Sequence, residues 1–459
     1  MEPEKTGRHL FRQLLVSLVA ASSTFSSGMS LGYSAIALPE LQRANSTDYL
    51  NPDQASWFAS IASIATPLGC LLCGPLLDKF GRRIALLALN APFLLGWFTL
   101  ALTPSPTNVP LLYLGRVLTG LGTGMASIPG CVYIAEISDQ RLRGMLVTWP
   151  SIGISVGILI VYVLGAILPD SWRLVAAICG TFPLAVGLAS IFLLYESPVW
   201  LASKGRDKEA ERSLTWLSKV TPEQIQIELN NMKPERTSGN KTTSRPQLAS
   251  LLMPQAWKPL LILNGYFFFQ QFSGIYVVVY YAVDIIRQAE VTMDAYVATV
   301  LLGVVQLVAG IAVSFALTRC GRRPMSLLSG VGMTLCMVGL AVYLQLEAKI
   351  ASIPLILLVV YVVAGAIGFH TLPWAMLGEM YPAQVKGLAG GITTCLAYLF
   401  SFAALKMYPY LLIMFGTSQG VFYLYGVVSL IATVFVLLYL TETHRKTLQQ
   451  IEHEFLHMP

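Results

Sequence analysis

The sequence predicts an all-α integral membrane protein, with twelve transmembrane helices in two six-helix repeats and a cytosolic helical linker between the halves. Three observations support this. Of 459 residues, 55% are apolar and only 12% are charged, against about 25% charged in an ordinary soluble domain. The apolar residues gather into long runs, and a bilayer is crossed by about 20 of them. A set of charged motifs then recurs about 240 residues further along the chain.

Twelve runs fit a span. They lie near 11–38, 56–77, 84–103, 110–135, 145–168 and 173–195, then near 258–286, 294–317, 325–345, 353–378, 388–413 and 418–441. Without water to satisfy backbone N–H and C=O groups, each must be helical. The first exceeds a signal-peptide core and has no small-residue cleavage site followed by soluble sequence, so it reads as a span. The second contains Cys70-Leu71-Leu72-Cys73. Inside a Leu- and Ile-rich helix that spacing reads as packing, not metal or redox chemistry. The fourth carries Gly120 and Gly124 and the fifth Gly153 and Gly157, small-xxx-small faces that let helix backbones approach.

After the sixth run, 197–255 is the one soluble-looking stretch. Lys204 to Met232 is charged and helix-compatible, with Leu214, Leu217 and Val220 as a modest apolar face, and Lys233 to Gln247 has the composition of a flexible linker. The seventh run holds Gln270 and Gln271, and amides at membrane depth are functional candidates by default. An amide both donates and accepts hydrogen bonds, which suits a neutral, hydroxyl-rich ligand. Gly274 allows this helix to break. The tenth run holds His370, Pro373 and Trp374. A lone histidine in a span reads first as a packing residue, although its position leaves pH sensitivity open. The chain therefore divides into a first half (1–196), a linker (197–255), a second half (256–441) and a tail (442–459).

Basic residues orient the bundle. With both termini in the cytosol, cytosolic segments hold 24 of the 30 Lys and Arg; the exceptions are Arg43, Arg116, Arg173, Arg287, Lys349 and Lys406. The positive-inside rule demands this asymmetry. The basic residues are scattered through short loops without an aromatic platform, so nucleic acid is excluded as a partner. The seven cysteines fall in apolar runs or, for Cys320, in a cytosolic turn, and form no disulfide framework. No metal, phosphate-loop or nucleophile grouping is present, so neither an enzyme nor a cofactor is expected. Asn45-Ser46-Thr47 in the longest external loop is the credible glycosylation acceptor; Asn240-Lys241-Thr242 faces the cytosol.

The repeat is specific. Gly81-Arg82-Arg83 returns as Gly321-Arg322-Arg323, Glu136 with Arg143-Gly144 as Glu379 with Lys386-Gly387, and Glu196 as Glu442, at offsets of 240, 243 and 246. Duplicated membrane halves with a ligand held between them near mid-membrane are a transporter's organisation. Paired acids and bases in both halves suggest ion pairs at the cytosolic mouth.

Over nearly its whole length the chain resembles the sugar-porter branch of the major facilitator superfamily, the group of facilitative glucose and trehalose transporters. The motifs that carry the resemblance are the two Gly-Arg-Arg turns, Gly115-Arg116 with Gly120, Gly122 and Gly124, Glu136 with Arg143-Gly144, and Glu196-Ser197-Pro198. To these are added Gln270-Gln271-Phe272-Ser273-Gly274-Ile275, Tyr280-Tyr281, and Pro373-Trp374 with Glu379. The resemblance implies a cytosolic charge gate of Asp78, Arg82, Arg83, Glu136, Arg143 and Glu196 in one half, and of Arg319, Arg322, Arg323, Glu379, Lys386 and Glu442 in the other. It implies an external gate at Tyr280 and Tyr281, and a substrate site at Gln270, Gln271, Tyr276, Gln306, Trp374 and Ser151.

Several positions depart from the family pattern. Ser151 replaces a sugar-facing Gln, Tyr276 and Gln306 each replace an Asn, and Ala397-Tyr398 replaces an Asn-Trp pair. Thr318 stands where an acid is usual, which predicts a weaker second half-gate. Glucose therefore does not carry over as the substrate. The expected activity is facilitative transport of a neutral sugar or polyol by alternating access, in the cell membrane, with lipid around it and no obligate protein partner. Two alternatives stand beside it. A proton-coupled symporter carries an Asp directly after a Gly-Tyr pair in the first helix, whereas Gly32-Tyr33 is followed by Ser34 and 11–39 contain no acid. A non-transporting sensor carries a long cytosolic tail, whereas this sequence runs on for only 18 residues past its last span.

Overall fold

The computed structural model describes residues 2–43, 47–105, 108–217, 251, 253–317, 319–346, 352–382, 385–444, 446 and 448–457. Among these, all regular structure is helical. The first half contains α1 (Glu2–Ser22), α2 (Phe25–Leu41), α3 (Pro52–Phe80), α4 (Arg82–Ala88), α5 (Asn90–Ala101), α6 (Val109–Ala126), α7 (Pro129–Ile137), α8 (Gln140–Leu146), α9 (Trp149–Ile167) and α10 (Trp172–Leu193). Two short helices follow, α11 (Pro198–Ser203) and α12 (Asp207–Leu217). The second half contains α13 (Pro254–Phe272), α14 (Ile275–Tyr280), α15 (Ala282–Gln288), α16 (Ala295–Ala316), α17 (Arg322–Gln345), α18 (Ile353–Ile367), α19 (Leu372–Met376), α20 (Lys386–Phe415) and α21 (Ser418–Tyr439), with α22 (Leu448–His457) in the tail.

Among the described residues, 11 helical stretches are long and apolar enough to cross a membrane. The remaining expected span, 258–286, is present in three pieces, α13 to α15. Its first break lies at Gly274, in the left-handed region at φ +91°. A Cβ there would also sit 2.7 Å from the Tyr425 ring, so both the conformation and the space demand glycine. Large apolar side chains such as Phe192 (78% exposed) and Leu335 (67%) face outward, a placement that lipid favours and water would penalise.

Within the first half the helices meet backbone to backbone. A Cβ on Gly124 would stand 2.0 Å from the Thr66 carbonyl, and one on Gly157 2.1 Å from that of Phe25. These small-residue faces are packing surfaces. Two of the basic residues that break the charge asymmetry pair with acids at the same end. Arg43 pairs with Asp170 at 3.2 Å and Arg173 with Asp48 at 2.6 Å. The linker helices dock on the first half. Trp200, Leu201, Ala202, Ala210 and Leu214 form their own small core, Arg12 donates to the Trp216 carbonyl at 3.2 Å, and Trp216 stacks on Tyr195 at 4.4 Å. Val220, the stretch 233–247 expected to be a linker, and Asn45 lie outside the described residues.

Candidate functional site

Two charge clusters occupy the end of the bundle that carries the Gly-Arg-Arg turns, and each is built within its own half. Arg82 grips Glu136 with a two-pronged hydrogen bond, Nε to Oε2 at 3.0 Å and Nη2 to Oε1 at 2.8 Å, and both side chains are only 15% exposed. Arg322 holds Glu379 the same way, with Nη2 to Oε1 at 2.8 Å. Planar forks of this kind are the strongest ordinary ion pairs. The supporting bonds repeat as well. Arg82 Nη1 donates to the Leu77 carbonyl and Arg83 Nη2 to that of Ile191; Arg322 Nη1 donates to Leu317 and Arg323 Nη2 to Leu437.

Glu196 and Glu442 do a different job. Glu196 accepts from the backbone amides of Arg82 (2.8 Å), Arg83 (3.2 Å) and Ser197 (3.0 Å). Glu442 accepts from those of Arg322 (2.8 Å), Arg323 (3.1 Å) and His444 (2.9 Å). Each carboxylate thus satisfies the free N–H groups at a helix start, where the helix dipole favours an anion. Burial alone pushes the Glu442 carboxyl up, but the amides of His444, Arg322, Arg323 and Thr443 outweigh it and hold it below the usual carboxylate range. Its stabilisation is therefore complete above the unfolded carboxylate pKa and is lost as pH falls through the lowered value. We expect the melting temperature in detergent to drop on the acid side and Glu442→Gln to remove part of that drop. An unchanged acid profile in Glu442→Gln would mean that the carboxylate contributes none of it.

Other residues expected at the charge gate stand apart. Asp78 is exposed and contributes its carbonyl, which accepts from Trp200 Nε1 at 3.2 Å. Arg143 donates to the Ser138 carbonyl at 3.2 Å and Lys386 to that of Gly378 at 2.6 Å. Arg319 is exposed. Thr318 lies outside the described residues. Sequence reasoning missed two members of that cluster. Thr443 Oγ1 donates to Glu379 at 2.6 Å, and His444 Nδ1 lies 3.1 Å from Arg322 Nη1.

The mid-membrane amides divide sharply. Gln270 is fully buried, and its Nε2 donates to the carbonyls of Phe369 (2.6 Å) and His370 (3.0 Å). Those carbonyls belong to the break between α18 and α19, so Gln270 is a clasp for an interrupted helix. Gln271, 1% exposed, keeps its Oε1 without a hydrogen-bond partner among the described residues. Trp374 Nε1 donates to the Tyr276 hydroxyl at 3.2 Å, and its ring meets Phe267 edge-on at 4.8 Å and Tyr398 at 5.7 Å. Tyr276 in turn lies over His370 at 5.3 Å. The Tyr276 hydroxyl thus takes the indole's N–H, while the Tyr398 ring packs at a tilt beside it. Gln306 and His370 line a mostly apolar cavity with Tyr162 of the first half, of about 20 Å³, room for roughly one water. Ser151 is exposed on α9 and is not drawn into this group.

At the opposite end the halves close on one another. Tyr162 donates to the Val279 carbonyl at 2.7 Å, and Ser63 Oγ lies 3.4 Å from the Tyr280 hydroxyl and 3.5 Å from Ser401 Oγ. Tyr281 stays within the second half, donating to Leu405 at 3.3 Å and packing on Tyr408 at 4.7 Å. One cation is buried outright. Arg116 has no solvent exposure and donates to the carbonyls of Phe58 (3.1 Å) and Ser30 (2.8 Å) and to Ser34 Oγ (2.9 Å).

Comparison with known proteins fits this architecture. A family model described as "Sugar (and other) transporter" matches residues 16–455. A protein named facilitated trehalose transporter Tret1 from Apis mellifera ligustica is 32% identical over 449 residues, covering 96% of this chain and 88% of the relative. The protein of that name from Culex quinquefasciatus is 31% identical, covering 98% and 87%. The one from Drosophila grimshawi is 30% identical over 98% of this chain, which spans only 48% of that relative's length. Among solved structures, the proton:xylose symporter XylE with 6-bromo-6-deoxy-D-glucose superposes at TM-score 0.77 and 23% identity, covering 97% of this chain and 100% of that one. The inward-open xylose transporter XylE from E. coli superposes at 0.80 and 22%, covering 96% and 99%. These relatives are transporters, not enzymes. With duplicated clusters on a two-half helical bundle and a family match along nearly its full length, this chain belongs to the sugar transporter family.

Proposed function

We propose that this protein carries a neutral sugar or polyol, a hexose or a disaccharide such as trehalose, passively across the cell membrane by alternating access. Both termini and the Gly-Arg-Arg end face the cytosol in this reading, Asn45 carries glycan, and the sugar passes between the halves 1–196 and 256–441. The observation that carries the passive mode is the Arg116 environment. Its guanidinium bonds to Ser34 Oγ and to carbonyls, so among the described residues the cation meets no carboxylate that could exchange a proton. The relatives' name and the basic asymmetry support the rest. In that orientation the contacts of Tyr162 with Val279 and of Ser63 with Tyr280 and Ser401 join the halves at the outer end.

Purified protein in liposomes tests this. Counterflow of labelled sugar is expected with no pH gradient, across a panel of mono- and disaccharides. Accumulation driven by an imposed pH difference would return the protein to the symporters and shift attention to His370. A tag at either terminus or within 233–247 is expected to react only after cells are permeabilised; reaction on intact cells would reverse the orientation. Tyr276→Asn frees the Trp374 N–H and opens space beside His370, so uptake of ordinary hexoses should rise. Unchanged hexose uptake in that variant would remove Tyr276 from the specificity site.

A further inference from the structure

Lys406 sits within α20, in a membrane-crossing stretch where a lysine requires a reason. Its ammonium donates to Asp53 Oδ1 and to Ser56 Oγ, each at 2.7 Å. It also lies 4.5 Å from the Trp57 ring centre and 5.4 Å from that of Tyr410. The Tyr410 hydroxyl donates to the same Asp53 oxygen at 2.5 Å, and Trp57 packs on Phe402 at 5.6 Å. Asp53, Ser56 and Trp57 belong to α3 in the first half; Phe402, Lys406 and Tyr410 belong to α20 in the second. The whole group therefore bridges the halves, unlike the two arginine clusters, each of which closes within its own half.

Asp53 has a local explanation, as an acid in the first turn of α3. Lys406 has none. At the repeat offset of 243, its counterpart on α9 is Val163, so the related contact of α9 with α16 has no cation. An ion pair whose members were both in water would matter little. Here, however, the lysine is only 19% exposed against 59% for the aspartate, and two aromatic faces add to the attraction.

We propose that Asp53 and Lys406 form a latch that holds the halves together at the end opposite the Gly-Arg-Arg turns. It must break each time that end opens, which makes Lys406 a positioning residue that sets the balance between the two faces of the carrier. The inference rests on the alternating-access reading above.

Ser63 is a natural reporter, because it is 2% exposed and lies between the halves against Tyr280 and Ser401. A Ser63→Cys background can be labelled with a membrane-impermeant maleimide from either side of sealed vesicles, with the unsubstituted protein subtracting the native cysteines. Lys406→Met and Asp53→Asn are each expected to raise the labelling rate about three- to tenfold, the range such a partly shielded pair commands. The reversed pair, Asp53→Lys with Lys406→Asp, should bring it back toward the parental rate. Asp53→Asn keeps size and hydrogen-bonding capacity, so it carries the test if Lys406→Met does not fold. Parental rates in the single variants overturn the latch, as does a rise that the reversed pair leaves in place. If the rise is seen only with reagent inside the vesicles, the latch stands and the orientation proposed above falls.

Discussion

Gln270→Ala is expected to unfold or markedly destabilise the protein, while Gln271→Ala next to it weakens sugar binding and leaves stability nearly unchanged. Gln270 uses its amide on two backbone carbonyls, that of Phe369 buried and that of His370 partly so. Removing it strands both in the break between α18 and α19, and a buried group left without its partner costs about 1–3 kcal/mol. A loss of about 2–6 kcal/mol is therefore expected for the pair, seen as a lower melting temperature in detergent and a lower yield. Gln271 offers its Oε1 to nothing among the described residues, and its Nε2 makes one long bond, 3.4 Å, to Gln270. Deleting a ligand hydrogen bond of roughly 0.5–1.5 kcal/mol lowers affinity about two- to tenfold. Thermal unfolding and equilibrium binding on the two variants decide it. A stable Gln270→Ala with weakened binding would move the ligand contact back onto Gln270.

The second large effect separates the two Gly-Arg-Arg turns, which the sequence presents as equals. Gly81 sits at φ +101° and ψ 172°, a region that only glycine occupies comfortably, and a Cβ there would lie 2.4 Å from a Glu196 oxygen. Gly321 meets Glu442 at the same 2.4 Å, but its φ of −69° and ψ of 150° suit any residue. Gly81→Ala thus combines backbone strain of about 1–3 kcal/mol with displacement of the carboxylate that caps Arg82 and Arg83. Gly321→Ala only pushes aside the end of a side chain. The first is expected to lose more stability by about 1–3 kcal/mol, read as a larger drop in melting temperature, and equal losses would show that the backbone difference carries no energy.

Much of the fold was legible in the residues, because a bilayer imposes a simple constraint of length and apolarity. Twelve runs could be read this way, and the one that the structure breaks into three helices, 258–286, carried a signal for its first break in Gly274. The charge clusters were half legible. Periodic acids and bases marked Arg82 with Glu136 and Arg322 with Glu379, but pattern alone could not separate these true ion pairs from the helix-capping carboxylates Glu196 and Glu442. Nor could it show that Asp78, Arg143 and Lys386 use or meet backbone carbonyls. Thr443 and His444 were missed since a hydroxyl and an imidazole beyond the last span carry no periodic signal.

The amino-acid sequence by itself determined the class of protein, the duplication and the asymmetry of basic residues, all of which follow from the local cost of placing polar or charged groups in lipid. Only the tertiary structure decided partnership. Gln270 and Gln271 are adjacent and chemically identical, yet one is spent on the break after α18 and the other keeps a free acceptor. Asp53 and Lys406 are separated by most of the chain and meet only where α3 crosses α20. Hydrogen bonds and ion pairs act over about 3 Å, so which groups share them is set by how helices distant in sequence pack together.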